Sequence, residues 1–280
     1  MAIVLQPTAP VAAHPVAAHP VAAHPVAAQP VAAEKPQVRY IGLPDLVAAL
    51  RLGVADFTAI PTQLVFLSLL YPVVGIVAAR AATGNLLPLL FPLLAGLSLM
   101  GPVLAVGLYE LSRRREQGQP VSWLNAFDVL RSPAIVSITA MGAMLLVIFV
   151  LWVGCAQAIY AGTLGTAPET MGGFVDTLLY TDPGHWLILL GNLAGAAFAV
   201  VVLTLSVVSF PMMLDRNCSV GTAIGTSVRA VLRNPVTMAC WGIIVAALLV
   251  LGSIPAFIGL AVTMPILGHA TWHLYRRVVA

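Results

Sequence analysis

Long apolar segments alternate with short polar ones through most of the chain. A helix needs about 17–25 apolar residues to cross a bilayer. Four segments are long enough: Pro61–Ala79, Leu86–Leu111, Ile135–Tyr160 and Trp186–Leu214. A further apolar stretch, Val236–Leu274, has 39 residues and suits two spans joined by a turn at Gly-Ser-Ile-Pro, residues 252–255. The pattern predicts six transmembrane helices.

Three shorter segments lead into prolines at which apolar spans begin. They are Asp45–Ala59, Trp123–Arg131 and Thr222–Arg233, and each mixes charged residues with apolar ones at roughly helical spacing. They are too short and too polar to cross a membrane, so we expect amphipathic helices in the membrane interface. Each would form one unit with the transmembrane hairpin that follows it.

An internal repeat supports this division into units. With a shift of 163 residues, the segment that starts at Phe91 aligns with the segment that starts at Ile254, and both end in a pair of arginines. The predicted fold class is therefore an all-α membrane protein, in which six transmembrane helices form three repeats of an interfacial amphipathic helix plus a transmembrane hairpin.

The N-terminal region has a different composition. Residues 11–36 repeat the pattern Val-Ala-Ala-His-Pro with increasing divergence. A proline every fifth residue prevents a continuous helix. We expect a disordered tail over residues 1–39 and a transmembrane domain over residues 40–280. The evenly spaced His14, His19 and His24 would bind a metal only weakly, and expansion of a short repeat explains them equally well.

Composition and charge agree with a membrane protein. Hydrophobic residues make up 60% of the 280 residues and charged residues only 8%, with a mean hydropathy of +0.99. Because an ordinary soluble domain has about 25% charged residues, a soluble globular protein is excluded. Twelve of the thirteen basic residues fall on one side of the predicted spans, the exception being Arg80. The positive-inside rule then predicts that both termini are cytosolic.

Few ionisable residues lie in the spans, and such residues are candidates for function because they are costly in hydrocarbon. His269 and His273 are four residues apart on one face of the sixth span. Glu110 occupies the repeat position equivalent to His273, and Asp215 closes the fourth span. We expect these four side chains to line a polar cup or ligand site that opens to the cytosol.

An alternative interpretation is structural. Trp272, Tyr275 and Tyr109 accompany the same helix ends. Tryptophan and tyrosine are enriched at the membrane interface, where they anchor helices. In that case the histidines are packing groups at the ends of their helices.

The sequence offers no support for catalysis. It has no nucleophile elbow, zinc-protease motif, P-loop or dinucleotide fingerprint. Its three cysteines are widely spaced and form no metal-binding pattern. We therefore expect no enzyme, no catalytic residue, no metal site and no cofactor. The small net charge of +3 gives no support for nucleic-acid binding.

Several segments resemble a known family. The strings GPVLAVGLYELSRR at 101–114 and PILGHATWHLYRR at 265–277 are similar to signature segments of a bacterial family of predicted integral membrane proteins, domain of unknown function 2189. Residues 45–57 and 214–235 are similar to other segments of it. The resemblance implies a multi-pass protein of the bacterial inner membrane. It implies no catalytic residues, because the family has none that are agreed.

Two classes of function remain. One is an accessory, scaffold or assembly protein that binds another membrane complex, with the bilayer as its other partner. The other is a transporter or channel for a small solute. A close-packed apolar interior would indicate the first class, and a hydrated cavity that reaches the bilayer midplane would indicate the second. The near absence of polar residues in the middle of the spans favours the first.

Overall fold

The computed structural model describes residues 36–60, 92, 99–165, 171–254 and 258–280. The predicted first span, residues 86–91 and 93–98 of the predicted second span and residues 1–35 of the predicted tail lie outside these ranges. The described residues form helices joined by short turns. In the first part of the chain these are α1 (Leu43–Ala59), α2 (Gly101–Leu104), α3 (Val106–Glu116) and a 3₁₀ helix (Trp123–Arg131).

The second part of the chain contains the longer helices. They are α4 (Ile135–Thr163), α5 (Met171–Tyr180), α6 (Asp182–Ser206), α7 (Ser209–Arg216), α8 (Val220–Arg233), α9 (Pro235–Ser253) and α10 (Leu260–Val278). The three segments predicted as amphipathic helices are helical: they correspond to α1, the 3₁₀ helix and α8. Their placement in a membrane interface and their origin as repeats stay predictions.

Three helical segments among the described residues have the length and apolar composition of membrane spans: Ile135–Thr163, Asp182–Arg216 and Pro235–Ser253. They correspond to the predicted third, fourth and fifth spans. In their most apolar windows only 28%, 33% and 22% of the residues are buried within the protein. Most of their surface is therefore available to hydrocarbon or to another membrane protein. A count of six spans remains a prediction.

The predicted sixth span behaves differently from these three. It forms α10, which follows α9 through a short connection near the predicted turn, with Gly252 and Gly259 in close contact. However, α10 is not among the segments that meet the criteria for a span. Its C-terminal half carries His269, His273 and two arginines, and most of it is buried against other helices. Packing within the protein, rather than lipid, surrounds this half of the helix.

The hydrophobic core includes the region where α10 meets α1, α3, α7 and α9. Phe210, Met212, Trp241, Trp272 and Tyr275 are among its fully buried side chains. The helix pair with the most extensive contact is α1 and α10. This packing places the polar ends of α3 and α10 next to each other, and the site described below lies between them.

Helix α8 stabilises an interruption between α6 and α7. The hydroxyl group of Ser227, on α8, donates a hydrogen bond to the carbonyl oxygen of Thr204 at 2.7 Å and accepts one from the backbone N–H of Val208 at 3.3 Å. Backbone groups freed by the interruption thus keep partners, as buried polar groups require.

The segment before α1 is held by the C-terminus and by Asn234. The amide N–H of Arg39 donates to the carbonyl oxygen of Val278, and the N–H of Ala280 donates to Gln37. Asn234 accepts a hydrogen bond from Ile41 N–H at 2.9 Å and donates one to the Arg39 carbonyl oxygen at 3.1 Å. Residues 37–39, which the sequence analysis assigns to the tail, are therefore bound to the folded domain.

The α1–α10 contact requires a glycine. A Cβ atom at Gly53 would lie 2.7 Å from the Cβ of Ala270 and 2.8 Å from the carbonyl oxygen of Ile266. Backbone atoms cannot move aside as a flexible side chain can. The two helices approach this closely only because residue 53 has no side chain.

We expect Gly53→Ala to lower the stability of the protein by about 1–3 kcal/mol, because it overpacks this crossing. Thermal unfolding of the purified protein in detergent measures the change. Gly191→Ala is the matched control, since a Cβ at Gly191 meets no atom within 4 Å. Equal melting temperatures for the two variants would show that the α1–α10 crossing does not limit stability.

Candidate functional site

A buried carboxylate joins three helices at this end of the protein. Asp56, near the end of α1, is only 4% exposed. Its Oδ2 atom accepts hydrogen bonds from Ser112 Oγ of α3 at 2.6 Å and from His273 Nε2 of α10 at 2.8 Å. Its Oδ1 atom lies 3.3 Å from Nε of Arg115. We call Asp56, Ser112, Arg115, His269 and His273 the Asp56 cluster.

The hydrogen bonds define the tautomer of His269. Ser112 has one hydroxyl proton, and it donates that proton to Asp56. The 2.8 Å contact between Ser112 Oγ and His269 Nδ1 must therefore be donated by an Nδ1–H group. His269 Nε2 is then an unprotonated acceptor, and although it is buried, it has no hydrogen-bond partner among the described residues.

The Asp56 cluster favours the ionised carboxylate. The segment α1 lies outside the candidate spans. Burial raises the pKa of Asp56, but the hydrogen bonds from His273 and Ser112 and the electrostatic attraction of the two histidines together hold the pKa below its usual value. Arg115 also donates to the carbonyl oxygen of Ala55 at 2.7 Å, at the end of α1. Both contacts attach the start of the predicted cytosolic loop to α1.

Glu110 belongs to a different arrangement. It is 2% exposed and binds Arg113 and Arg114, one helical turn further along α3, at 2.7 and 2.8 Å. Arg114 also forms an ion pair with Asp128 of the 3₁₀ helix at 2.9 Å. These residues form one wall of a cleft of about 440 Å³.

The opposite wall of the cleft is formed by the end of α7. Leu214, Asp215 and Asn217 lie there, and Arg131, Ser132 and Pro133 complete the lining. Asn217 ends α7 in the left-handed conformation, with φ of 46°. We call this cavity the arginine cleft.

Asp215 is also fixed by α10. Its Oδ2 atom accepts a hydrogen bond from Tyr275 Oη at 2.7 Å and lies 3.3 Å from Arg276. Arg276 and the indole N–H of Trp272 both bind Glu116, each at 3.0 Å. The end of α10 is thus tied to α3 and α7 by charged and aromatic groups together.

The burial of three aromatic side chains contradicts their interpretation as a belt at the membrane interface. Tyr109, Trp272 and Tyr275 are 2%, 1% and 0% exposed. Residues of an interfacial belt would expose their rings to the headgroups, so the alternative of a belt is wrong for these three. They belong to the core because α1 and the C-terminal half of α10 cover one another.

The four residues of the predicted polar cup fall in two places. Glu110 and Asp215 line the arginine cleft, whereas His269 and His273 belong to the Asp56 cluster. In the described part of the chain, no group of three or more histidine, cysteine, aspartate or glutamate side chains has the geometry of a metal site.

Asp56, Ser112 and Arg115 are not among the site residues predicted from the sequence. A signal for Asp56 does exist. The buried residues of α1 are Leu46, Ala49, Gly53 and Asp56, and this spacing of three and four residues is that of one helix face. A carboxylate on the apolar face of an amphipathic helix requires a buried partner. No comparable signal marks Ser112, which only the packing of α3 brings to Asp56.

Comparison with known proteins agrees with this architecture. Residues 90–215 match the model of a family described as predicted integral membrane protein, DUF2189. The match confirms the predicted resemblance to this family over residues 90–215, and the chain is an integral membrane protein with apolar helices. No curated protein and no solved structure matches it.

We expect Asp56→Asn to destabilise the protein by roughly 2–4 kcal/mol, because it leaves Arg115 and the hydrogen-bond donors without an anionic partner. The pH dependence has a defined sign. Ionised Asp56 contributes its full stabilisation of the fold at every pH above the ordinary aspartate pKa. This contribution is lost as the pH falls through the lowered pKa of Asp56. Melting temperatures of the wild type and the variant, measured from pH 7 downwards, should therefore converge in acid.

Asp176→Asn is the control, because Asp176 is an exposed aspartate on α5. Its melting temperature should follow that of the wild type at every pH. A constant difference between Asp56→Asn and the wild type down to the lowest pH would contradict an ionised Asp56.

Proposed function

We propose that this integral membrane protein is a non-enzymatic accessory, scaffold or assembly component that binds another membrane complex. The main support is that several polar side chains of the candidate spans form hydrogen bonds within their own helices. The side chains of Thr163, Asn192, Ser206 and Ser253 each donate to a backbone carbonyl oxygen of their own helix, four residues earlier. Each of these donors thus has a partner within its own helix and needs neither water nor a solute to satisfy it.

The interior between α4 and α6 supports the same proposal. The buried residues of α4 are Ile138, Met141, Leu145, Trp152, Ala156 and Tyr160. Trp152 meets Phe198 of α6 edge to face, with ring centroids 5.6 Å apart. The hydroxyl group of Tyr160 has no hydrogen-bond partner among the described residues, but the other side chains named here are largely apolar. A polar solute passing between them would lose most of its water without replacement partners.

The absence of enzymatic activity is part of the proposal. Ser112, His269 and Asp56 resemble a nucleophile, a base and a carboxylate in their contacts. However, Ser112 and His269 are both 0% exposed and Asp56 is 4% exposed. The Ser112 proton goes to Asp56 rather than to the imidazole. A substrate has no access to this hydroxyl group, and the arrangement supports a structural role for the cluster.

We also propose six spans with both termini in the cytosol of a bacterial cell, in its inner membrane. Basic segments from distant parts of the chain contact acidic partners at one end of the fold: Arg277 binds Asp45, Arg276 binds Asp215 and Arg114 binds Asp128. The three contacts join segments that the charge pattern assigns to one side of the membrane, which supports the assignment of these segments to a common side.

Single cysteines test this topology in a variant without the native Cys155, Cys218 and Cys240. Gln117→Cys should react with a membrane-impermeant maleimide only in inverted vesicles, since Gln117 is exposed after the basic end of α3. Tyr180→Cys, at an 80% exposed position, should react only in intact cells or spheroplasts. Reaction of both from the same side would exclude this topology.

Site-specific photocross-linking tests the scaffold function. We expect a photoreactive residue at exposed Val150, Leu193 or Ile243, on three candidate spans, to give one discrete protein adduct on at least one helix in native membranes. Met141, which is 0% exposed, is the matched control and should give none. The adduct should persist after dilution of the membranes with excess lipid, because a specific complex survives dilution and random collisions do not.

A flux assay tests the alternative function, a transporter or channel for a small solute. The purified protein in proteoliposomes should leave the permeability to ions, sugars and amino acids equal to that of empty vesicles. Solute flux above that background, together with cross-links to lipid alone, would replace the scaffold by a transporter or channel.

A further inference from the structure

The arginine cleft lies where two candidate membrane spans end. Pro133 comes just before the span Ile135–Thr163, and Leu214 and Asp215 are near the end of the span Asp182–Arg216. Because the start of one span and the end of the other share the cleft, both ends lie on the same side of the membrane. The cleft is therefore at the depth where hydrocarbon gives way to lipid headgroups.

The charges of the cleft leave one arginine available. Both oxygens of Glu110 are occupied by Arg113 and Arg114. The Oδ2 atom of Asp128 binds Arg114 and Asn125. The Oδ2 atom of Asp215 is bound by Tyr275 and by Arg276. Each carboxylate in the lining thus has an arginine partner at 3.3 Å or less.

Arg131 is the available arginine. Its side chain is 90% exposed, and its contact with Asp128 is 4.0 Å long. A guanidinium group in this situation retains its hydrogen-bond donors for an anion, and its planar fork suits phosphate oxygens. Ser132, the next residue in the cleft lining, adds a hydroxyl group.

An apolar surface continues from Arg131. Trp123, Leu124, Phe127 and Leu130 of the 3₁₀ helix are 42–68% exposed, and Trp123 and Phe127 stack edge to face. On the other side of Arg131, Val136 at the start of α4 is 75% exposed. A cation flanked by exposed aromatic and aliphatic side chains at a span end matches a phospholipid, whose phosphate lies above its acyl chains.

We propose that the arginine cleft binds one membrane phospholipid, with the phosphodiester group on Arg131 and the acyl chains along the 3₁₀ helix and the start of α4. A volume of about 440 Å³ is within the usual range of ligand sites, about 300–1,000 Å³. This binding does not depend on a protein partner, so it goes beyond the scaffold function.

Native mass spectrometry of the purified protein in detergent tests the proposal, with dioleoylphosphatidylglycerol as the added lipid because its only charge is the phosphodiester. The wild type should retain one lipid molecule, and Arg131→Gln should bind it roughly tenfold more weakly, since one charged hydrogen-bond donor group is lost. Arg131→Lys, which keeps the charge, should recover part of the affinity.

Two controls make the result specific. Arg51→Gln removes an exposed arginine of α1 that does not line the cleft, and it should bind as the wild type does. Dioleoylglycerol, which has the same chains without phosphate, should not compete. Equal retention by the wild type and Arg131→Gln, or competition by dioleoylglycerol, would overturn the proposal.

Inorganic phosphate distinguishes a lipid from a soluble anion. We expect 10 mM phosphate, roughly the concentration range of weak anion binding, to leave the bound lipid in place. Displacement of the lipid by phosphate in the wild type but not in Arg131→Gln would show a site for soluble phosphate and would overturn the assignment to a phospholipid.

Discussion

The burial of Asp56 is the constraint on which the rest of the described structure depends. A carboxylate removed from water loses its hydration, so each of its oxygens needs a replacement partner. The partners come from two other helices: Ser112 and Arg115 from α3, and His273 from α10. These contacts determine the register of α1 against both helices. The close approach of α1 and α10 at Gly53 follows from the same arrangement, because the helices must lie near enough for His273 to reach the carboxylate.

The described protein combines two kinds of packing. The candidate spans bury only a minor part of their surface and expose valine, leucine and isoleucine to the hydrocarbon. At the other extreme, the C-terminal half of α10 is enclosed by α1, α3 and α7, with ion pairs at the edge of an apolar core. This division has a physical basis. Apolar helices in hydrocarbon gain no hydrophobic free energy when they associate, whereas apolar surfaces in contact with water at the membrane surface do. The polar end therefore supplies the specific tertiary contacts, and it is also where the arginine cleft forms.

Glu110 and His273 are paired by the predicted internal repeat, but they have different partners in the structure. The sequence alignment of the predicted second and sixth spans predicts a common environment for them. In the structure Glu110 binds arginines of its own helix, and His273 reaches across to Asp56 on α1. The difference arises because α1 covers α10, while the 3₁₀ helix covers α3. A sequence alignment pairs two positions along the chain, but it does not predict which helix packs against each of them.

The sequence by itself determined the membrane class, the approximate extent of the three candidate spans and the location of α1, the 3₁₀ helix and α8. These features depend on hydrophobic periodicity and on the requirement that backbone groups in lipid bond within their own helix. Proline and basic residues then mark where helices begin and end. Only the tertiary structure decided that Tyr109, Trp272 and Tyr275 are core residues, and that Asp56 joins the two histidines while Glu110 and Asp215 share a cleft. Those relations connect residues up to 217 positions apart, and no local pattern specifies which distant helix will cover a given face.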